Sequence, residues 1–381
     1  MRTTSLSALS IAVVLAVAGC SAEPAVDLPP VTAAVPLENW TKALVTRTTA
    51  SAHLVAVGDS ITEGQGATAR SRRWLDLVRS SLRSTYPVAG ASGGVGYLPA
   101  AFAVYPPDSS WGKWWSESSG RIVPNYDNAA LGYRSVVVGD KATISYSFTG
   151  SDLDIWWRAG GGRFSYSIDD GMEKSVDTSG SPTAGHVTSV AGIKKAAGLS
   201  DVSHTVRIRA TGAVTLEGFT VYNGDRDKGV TTFDSGHSGA TVDTYLKDLP
   251  NFLLAMKSAA PSLVTISLGG NDASTESPAE LKRKYLKLIV AIKKLPTRPS
   301  ILLIGEFEPG PGITDSIRAP WAQYQAVIGD LARSTGSAYL SLYKNLPHAD
   351  TSGTGFYSKD GLHPNDSGQQ EIARLVVGAI G

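Results

Sequence analysis

Cysteine is all but missing from this chain. Cys20 is the only one in 381 residues, which excludes an internal disulfide framework and any metal site built from several thiolates. Net charge is missing too: 35 basic side chains face 34 acidic ones, a formal +1, so no global field draws the chain onto nucleic acid. Six histidines, at 53, 186, 204, 237, 348 and 363, leave few candidates for a catalytic base of that type. No apolar run reaches the ~20 residues that a membrane-spanning helix needs. What is present points elsewhere. With 42% hydrophobic and 18% charged residues the chain can bury a large core, and its length fits two domains or one domain with a large insertion. Its 40 glycines favour many tight turns and a β-rich portion, against an all-helical protein.

The N-terminal end reads as a leader. Arg2 and a short polar stretch precede an apolar run from Leu9 to Gly19 that is too short to span a bilayer, the pattern of a secretory signal over 1–19. The run closes on Leu15-Ala16-Val17-Ala18-Gly19-Cys20, which resembles the lipobox of bacterial lipoproteins. That resemblance implies a diacylglycerol-modified Cys20, a membrane contact through that lipid, and a place in the extracytoplasmic cell envelope. Residues 20–47, rich in Ala, Pro and Val, read as the lipidated residue and a flexible tether.

Beyond the tether two textures alternate. Leu54-Val55-Ala56-Val57 reads as a buried strand, and Trp74, Leu75, Val78, Leu82 and Tyr86 recur at helical spacing. Far along the chain the alternation returns: a helix over Val242 to Met256, a strand over Leu263 to Leu268, a helix over Pro278 to Leu295, a strand over Ile301 to Ile304, a helix over Ala319 to Thr335, a strand over Ala338 to Leu342 and a helix over Ser367 to Ile380. Alternating strands and helices imply crossovers and a parallel sheet, an α/β fold. Between them, 101–233 carries alternating runs such as Thr143 to Phe148 and Val214 to Val221, separated by glycine-rich turns. This is the pattern of an all-β sandwich, inserted into one α/β domain formed by 48–100 and 234–381. Trp156-Trp157 places one ring on each face of a strand, so one of them belongs to the core.

Four polar segments fall at strand exits or helix entries of the α/β part: Gly58-Asp59-Ser60-Ile61-Thr62-Glu63-Gly64, Ser238-Gly239-Ala240-Thr241, Gly269-Gly270-Asn271-Asp272 and Asp360-Gly361-Leu362-His363-Pro364. Open α/β sheets handle ligands at such places. In this order the segments resemble the blocks of the SGNH (GDSL-type) hydrolase family, with the second the least specific of the four. The resemblance implies a flavodoxin-like three-layer fold and a serine esterase needing no cofactor and no metal. It assigns Ser60 as nucleophile, His363 as base and Asp360 as the carboxylate that orients it. It also assigns the backbone N–H groups of Ser60 and Gly239 and the side-chain amide of Asn271 as the oxyanion hole. Asp59 reads as structural, and Asp272 as a cap or a rival orienter.

The inserted segment resembles the jelly-roll modules that accompany carbohydrate esterases of this clan. The expected substrate is an acylated carbohydrate, with acetyl the expected acyl group. Trp111, Trp114 and Trp115 are candidate sugar-stacking residues and His237 a candidate pocket-lining one. Three alternatives stay open: a lipase or arylesterase on apolar esters, an acyltransferase, and a carbohydrate-binding lipoprotein with an inactive hydrolase domain.

Overall fold

The computed structural model describes residues 37–90, 93–101, 115–190, 192 and 203–381, and says nothing of the side chains of 115–117. Cys20, most of the expected tether, Trp111, Trp114 and the Trp115 side chain therefore lie outside the described residues.

The chain begins with α1 (Glu38–Thr46), β1 (Ala52–Gly58), the single turn α2 (Ser60–Glu63) and α3 (Trp74–Thr85). Eleven strands then follow almost without helix: β2 (Gly93–Pro99), β3 (Trp115–Ser119), β4 (Ile122–Asn125), β5 (Ser135–Val138), β6 (Thr143–Thr149), β7 (Asp152–Arg158), β8 (Arg163–Ile168), β9 (Lys174–Asp177), β10 (His186–Val190), β11 (Ser203–Thr211) and β12 (Val214–Asn223). The remainder alternates: β13 (Val230–Gly236), α4 (Val242–Leu246), α5 (Leu249–Ala259), β14 (Leu263–Ser267), α6 (Pro278–Lys293), β15 (Ser300–Gly305), α7 (Trp321–Thr335), β16 (Ala338–Ser341), α8 (Leu342–Asn345) and α9 (Asp366–Ile380).

Five parallel strands stand side by side as β13-β1-β14-β15-β16. Counted along the chain, the second of them flanks the first and the third lies on its other side. That is the flavodoxin-like order, whose switch point falls between β1 and β14. Val55 and Val57 of β1 enter the core shared with α4 to α7, while Leu54 and Ala56 enter the core shared with α1, α3 and α9. A strand covered on both faces is apolar on both, which is why β1 reads as a continuous hydrophobic run.

The sheet does not stop at β13. β2 meets β13 at Tyr97 and pairs antiparallel with β12, which continues to β7 and β10 on one side and to β5 and β4 on the other. A second sheet, β3-β6-β11-β8-β9, covers this antiparallel extension. Ile144, Phe164 and Ile208 of that sheet meet Val136, Leu153 and Ile155 of the extension, and Tyr146 stacks on Phe219 with centroids 5.0 Å apart.

Three expectations are corrected. The β insertion is two sheets facing each other, but one of them is the extended central sheet, so 101–233 is not a separate body. β2 precedes the expected start, and β13 straddles the expected boundary at 233/234, bridged to β2 at Phe233 and Tyr97. Residues 38–46, expected in the tether, are not part of one, because α1 is folded onto the domain: Trp40 is fully buried, with Nε1 donating to the Ile380 carbonyl at 2.8 Å. The expected helix over Val242 to Met256 is two helices, since Pro250 starts a new one and Asp248 caps it through the Asn251 N–H.

Candidate active site

Ser60 is the first residue of α2, immediately past the end of β1. Asp59 caps that turn by accepting from the Ile61 N–H at 2.9 Å. Gly64 closes it with φ +87°, and its N–H donates to the Ser60 and Ile61 carbonyls. A Cβ there would stand 2.6 Å from Arg73 Cγ, so only glycine fits. His363 lies in the loop before α9. Its Nε2 is 3.0 Å from Ser60 Oγ and its Nδ1 is 2.6 Å from Asp360 Oδ2. The other oxygen, Oδ1, accepts from the backbone N–H groups of Leu362 and His363, both at 2.9 Å. Burial acts to raise the Asp360 carboxyl, but these hydrogen bonds outweigh it and hold the group below the ordinary aspartate range. Ser60 is 6% exposed and His363 9%, so the pair opens to solvent from one side only.

Asn271 and Gly239 come to the same edge, one from beyond β14 and one from beyond β13. Asn271 Nδ2 donates to Asp59 Oδ2 at 3.2 Å and to the Ala240 carbonyl at 3.0 Å. Gly239 takes φ +76° in the tight turn closed by the Ala240 N–H on the His237 carbonyl. That turn is pinned on both sides: the His237 N–H donates to the Gly58 carbonyl, and the Ser238 N–H donates to Glu63 Oε2 at 2.7 Å. His237 Nδ1 donates to the Gly132 carbonyl at 2.6 Å and its ring lies edge-on to Tyr126, so it joins the β extension to the site.

Beneath the site lie groups that sequence reasoning missed. Arg134 reaches Glu63 at 3.1 Å and Asp234 at 2.7 Å, and Arg73 reaches Asp234 at 2.6 Å and Asp76 at 2.7 Å. All of these side chains are essentially buried. Glu63 holds the Ser238 N–H, so Arg134, from the segment read as insert, braces the turn that carries Gly239. Asp234 is a hundred positions away from it in the chain and Glu63 lies in a different segment again, so no local pattern announces them. Glu306 had a readable signal, an acid directly after a strand exit. It accepts from Ser267 Oγ at 3.1 Å and from the Gly270 N–H at 2.9 Å, and it is hydrogen-bonded to Asp59. Asp272 is not an orienter: its carboxylate accepts from the Val242 N–H at the start of α4. Trp156 is the core member of its pair, packed against Tyr97 and Phe233, whereas half-buried Trp157 stacks on His186.

Burial pushes the Asp59 carboxyl up to about 7 and Asp272 likewise to about 7. Glu306 is driven well above the usual range, by burial first and the neighbouring Asp59 charge second. The folded state therefore holds protons that the unfolded chain releases near pH 4, and this part of the stability is lost as pH rises through the raised values. Glu306→Gln, an isostere of the protonated acid, is expected to match wild type near pH 5. At pH 8 it should be the more stable protein. Urea unfolding at the two pH values checks this; parallel pH dependence in the two proteins would show that Glu306 takes no part.

Residues 217–371 match the model of the GDSL-like Lipase/Acylhydrolase family. That stretch includes the second, third and last of the four segments and leaves out the one bearing Ser60. None of the curated proteins matches the chain in sequence. Among solved structures the chain is similar to a peptidoglycan O-acetylesterase, at 16% identity, covering 90% of this chain and 95% of that one with a TM-score of 0.65. This likeness extends the shared fold through the β part. A family two carbohydrate esterase from Clostridium thermocellum (15% identity, 69% of this chain and 98% of that one covered, TM-score 0.33) and the acetylxylan esterase Axe2 from Geobacillus stearothermophilus (23% identity, 40% of this chain and 73% of that one covered, TM-score 0.33) are more distant.

Proposed function

We propose that this chain, a serine ester hydrolase carrying a GDSL-type domain, removes O-acetyl groups from an extracytoplasmic carbohydrate through an acyl-enzyme on Ser60. The observation that carries the chemistry is the hydrogen-bonded line from Asp360 through His363 to Ser60 Oγ, placed beside the switch point of the sheet. In the first step Ser60 Oγ attacks the ester carbonyl carbon while His363 Nε2 takes its proton. The oxyanion is met by the N–H groups of Ser60 and Gly239 and by Asn271, which exchanges one of its two resting hydrogen bonds for this one. Collapse expels the sugar alkoxide, which takes the proton back from His363. Water, deprotonated by the same imidazole, then releases acetate and restores Ser60. Asp360 keeps the proton of neutral His363 on Nδ1 and stabilises the imidazolium.

The carbohydrate part of the reading is supported by the fold shared with a peptidoglycan O-acetylesterase over nearly the full length of both chains. Its test is acetate release from a panel of acetylated glycans alongside long-chain glycerides. Acetate from at least one glycan with no fatty acid release is the expected result, and the reverse would favour the lipase alternative. The place of action rests on Cys20. Cys20→Ala is expected to leave the protein unanchored or unprocessed, while a form starting at Leu37 fractionates as soluble and active; membrane retention of that shorter form would place the anchor elsewhere.

A further inference from the structure

We propose that the groove between α4 and α6 seats an acidic glycan, a polysaccharide bearing carboxylate or phosphate groups, and so presents its esters to Ser60. The proposal rests on the esterase reading for its active-site end and on the groove's own charge for its ligand.

The groove encloses about 630 Å³, with Thr241 and Lys247 on one side and Arg283, Lys284 and Lys287 on the other. Its end nearest the active site is Thr241. Thr241 is two residues past Gly239, so their Cα atoms are at most ~7.6 Å apart. Ala240, between them, accepts from Asn271. The groove thus ends within two residues of the turn that carries Gly239, close enough for a polymer longer than the groove to reach it.

The lining holds four cations and one carboxylate, Asp243. Two of the cations are engaged within the protein: Lys284 with Asp243 and Glu276, and Lys247 with the exposed Asp127. Arg283 and Lys287 are different. Both are exposed, they stand one helical turn apart on the same face of α6, and among the described residues neither has a carboxylate partner. Two unneutralised cations rising from one wall favour an anionic ligand and steer it to the site at low ionic strength. An apolar acyl chain would find only Leu246 there. A neutral glycan would want an aromatic platform, and no lining residue is aromatic.

The test uses the full protein and the double variant Arg283→Ala/Lys287→Ala. Initial rates are measured on 4-nitrophenyl acetate, on acetylated xylan, on an acetylated uronic-acid polymer and on an acetylated phosphate-bearing glycan. The double variant is expected to lose about 5- to 10-fold in kcat/KM on one or both acidic polymers, mostly through KM, and to stay within about 2-fold on the small ester. Which acidic polymer responds identifies the anionic group. Raising NaCl from about 50 to 500 mM should erase the wild-type advantage on that polymer and leave the variant little changed. Equal rates for the two proteins on both acidic polymers, or equal losses on acetylated xylan, overturn the proposal. If wild type hydrolyses none of the four, the esterase reading is what fails. Retardation in a native gel containing the uronic-acid or phosphate polymer, present in wild type and absent in the double variant, then decides the groove alone. Retention only on vesicles of anionic lipid would overturn it in favour of a membrane surface.

Discussion

Ser60→Ala is expected to reduce turnover of a small acetyl ester by about 10⁶, with the fold kept. The size of the loss follows from the geometry. Ser60 Oγ sits 3.0 Å from His363 Nε2 at the mouth of the site, and no other hydroxyl bonds that nitrogen among the described residues. The fold should survive because the hydroxyl's one side-chain partner is that histidine, so its removal costs about 1 kcal/mol or less. The backbone of the turn is held by Asp59, Gly64 and Arg73, none of which the substitution touches. Rates on 4-nitrophenyl acetate together with a thermal melt check both halves. Activity near wild type in a folded variant would remove the acyl-enzyme mechanism.

Asp360→Asn is the second large effect, expected at about 10⁴ in rate, and here the structure supplies the reason. Oδ1 of Asp360 accepts from two backbone N–H groups and Oδ2 faces His363 Nδ1. An asparagine at this position must keep its oxygen toward the two N–H groups, which turns its NH₂ toward the ring. Nδ1 then becomes an acceptor and the ring proton moves to Nε2, where it points at Ser60 and cannot take the hydroxyl proton. Asp272→Asn, by contrast, should leave the rate on the small ester within a few-fold, because Asp272 is committed to the start of α4. Steady-state kinetics of the two variants separate the assignments, and a larger loss in the Asp272 variant would exchange them.

The β part is more than a neighbour of the chemistry. Glu63 holds the Ser238 N–H and is braced by Arg134, and His237 is tied to the Gly132 carbonyl. Residues read as part of an insertion therefore support the turn carrying Gly239. Breaking a buried ion pair by removing one partner costs about 3–5 kcal/mol, so truncation of Arg134 would disturb the fold before it reported on sugar binding.

Much of the site was legible from residue order because each segment that bears a reacting group carries its own local signal. Asp360 and His363 are three residues apart in one loop, Ser60 directly follows an apolar run, and Asn271 directly follows another. Strand exits of a parallel sheet converge on one edge, so recognising the strands was enough to bring these segments together. β13 was invisible by the same logic: Val230-Thr231-Thr232-Phe233-Asp234-Ser235-Gly236 is half polar, yet it lies wholly inside because Asp234 is paired by Arg73 and Arg134. A polar residue becomes tolerable in a core only through its partner, and a partner 100 or 161 positions away leaves no periodicity to read. The same reason hid the continuity of the parallel strands with their antiparallel extension. By itself, then, the sequence determined which groups could do the chemistry and the order of the elements that bear them. Only the tertiary structure decided which strand lies at the sheet's centre and which buried charges hold the active-site turns in place, because pairing across the sheet and burial of charge are both set by contacts between distant parts of the chain.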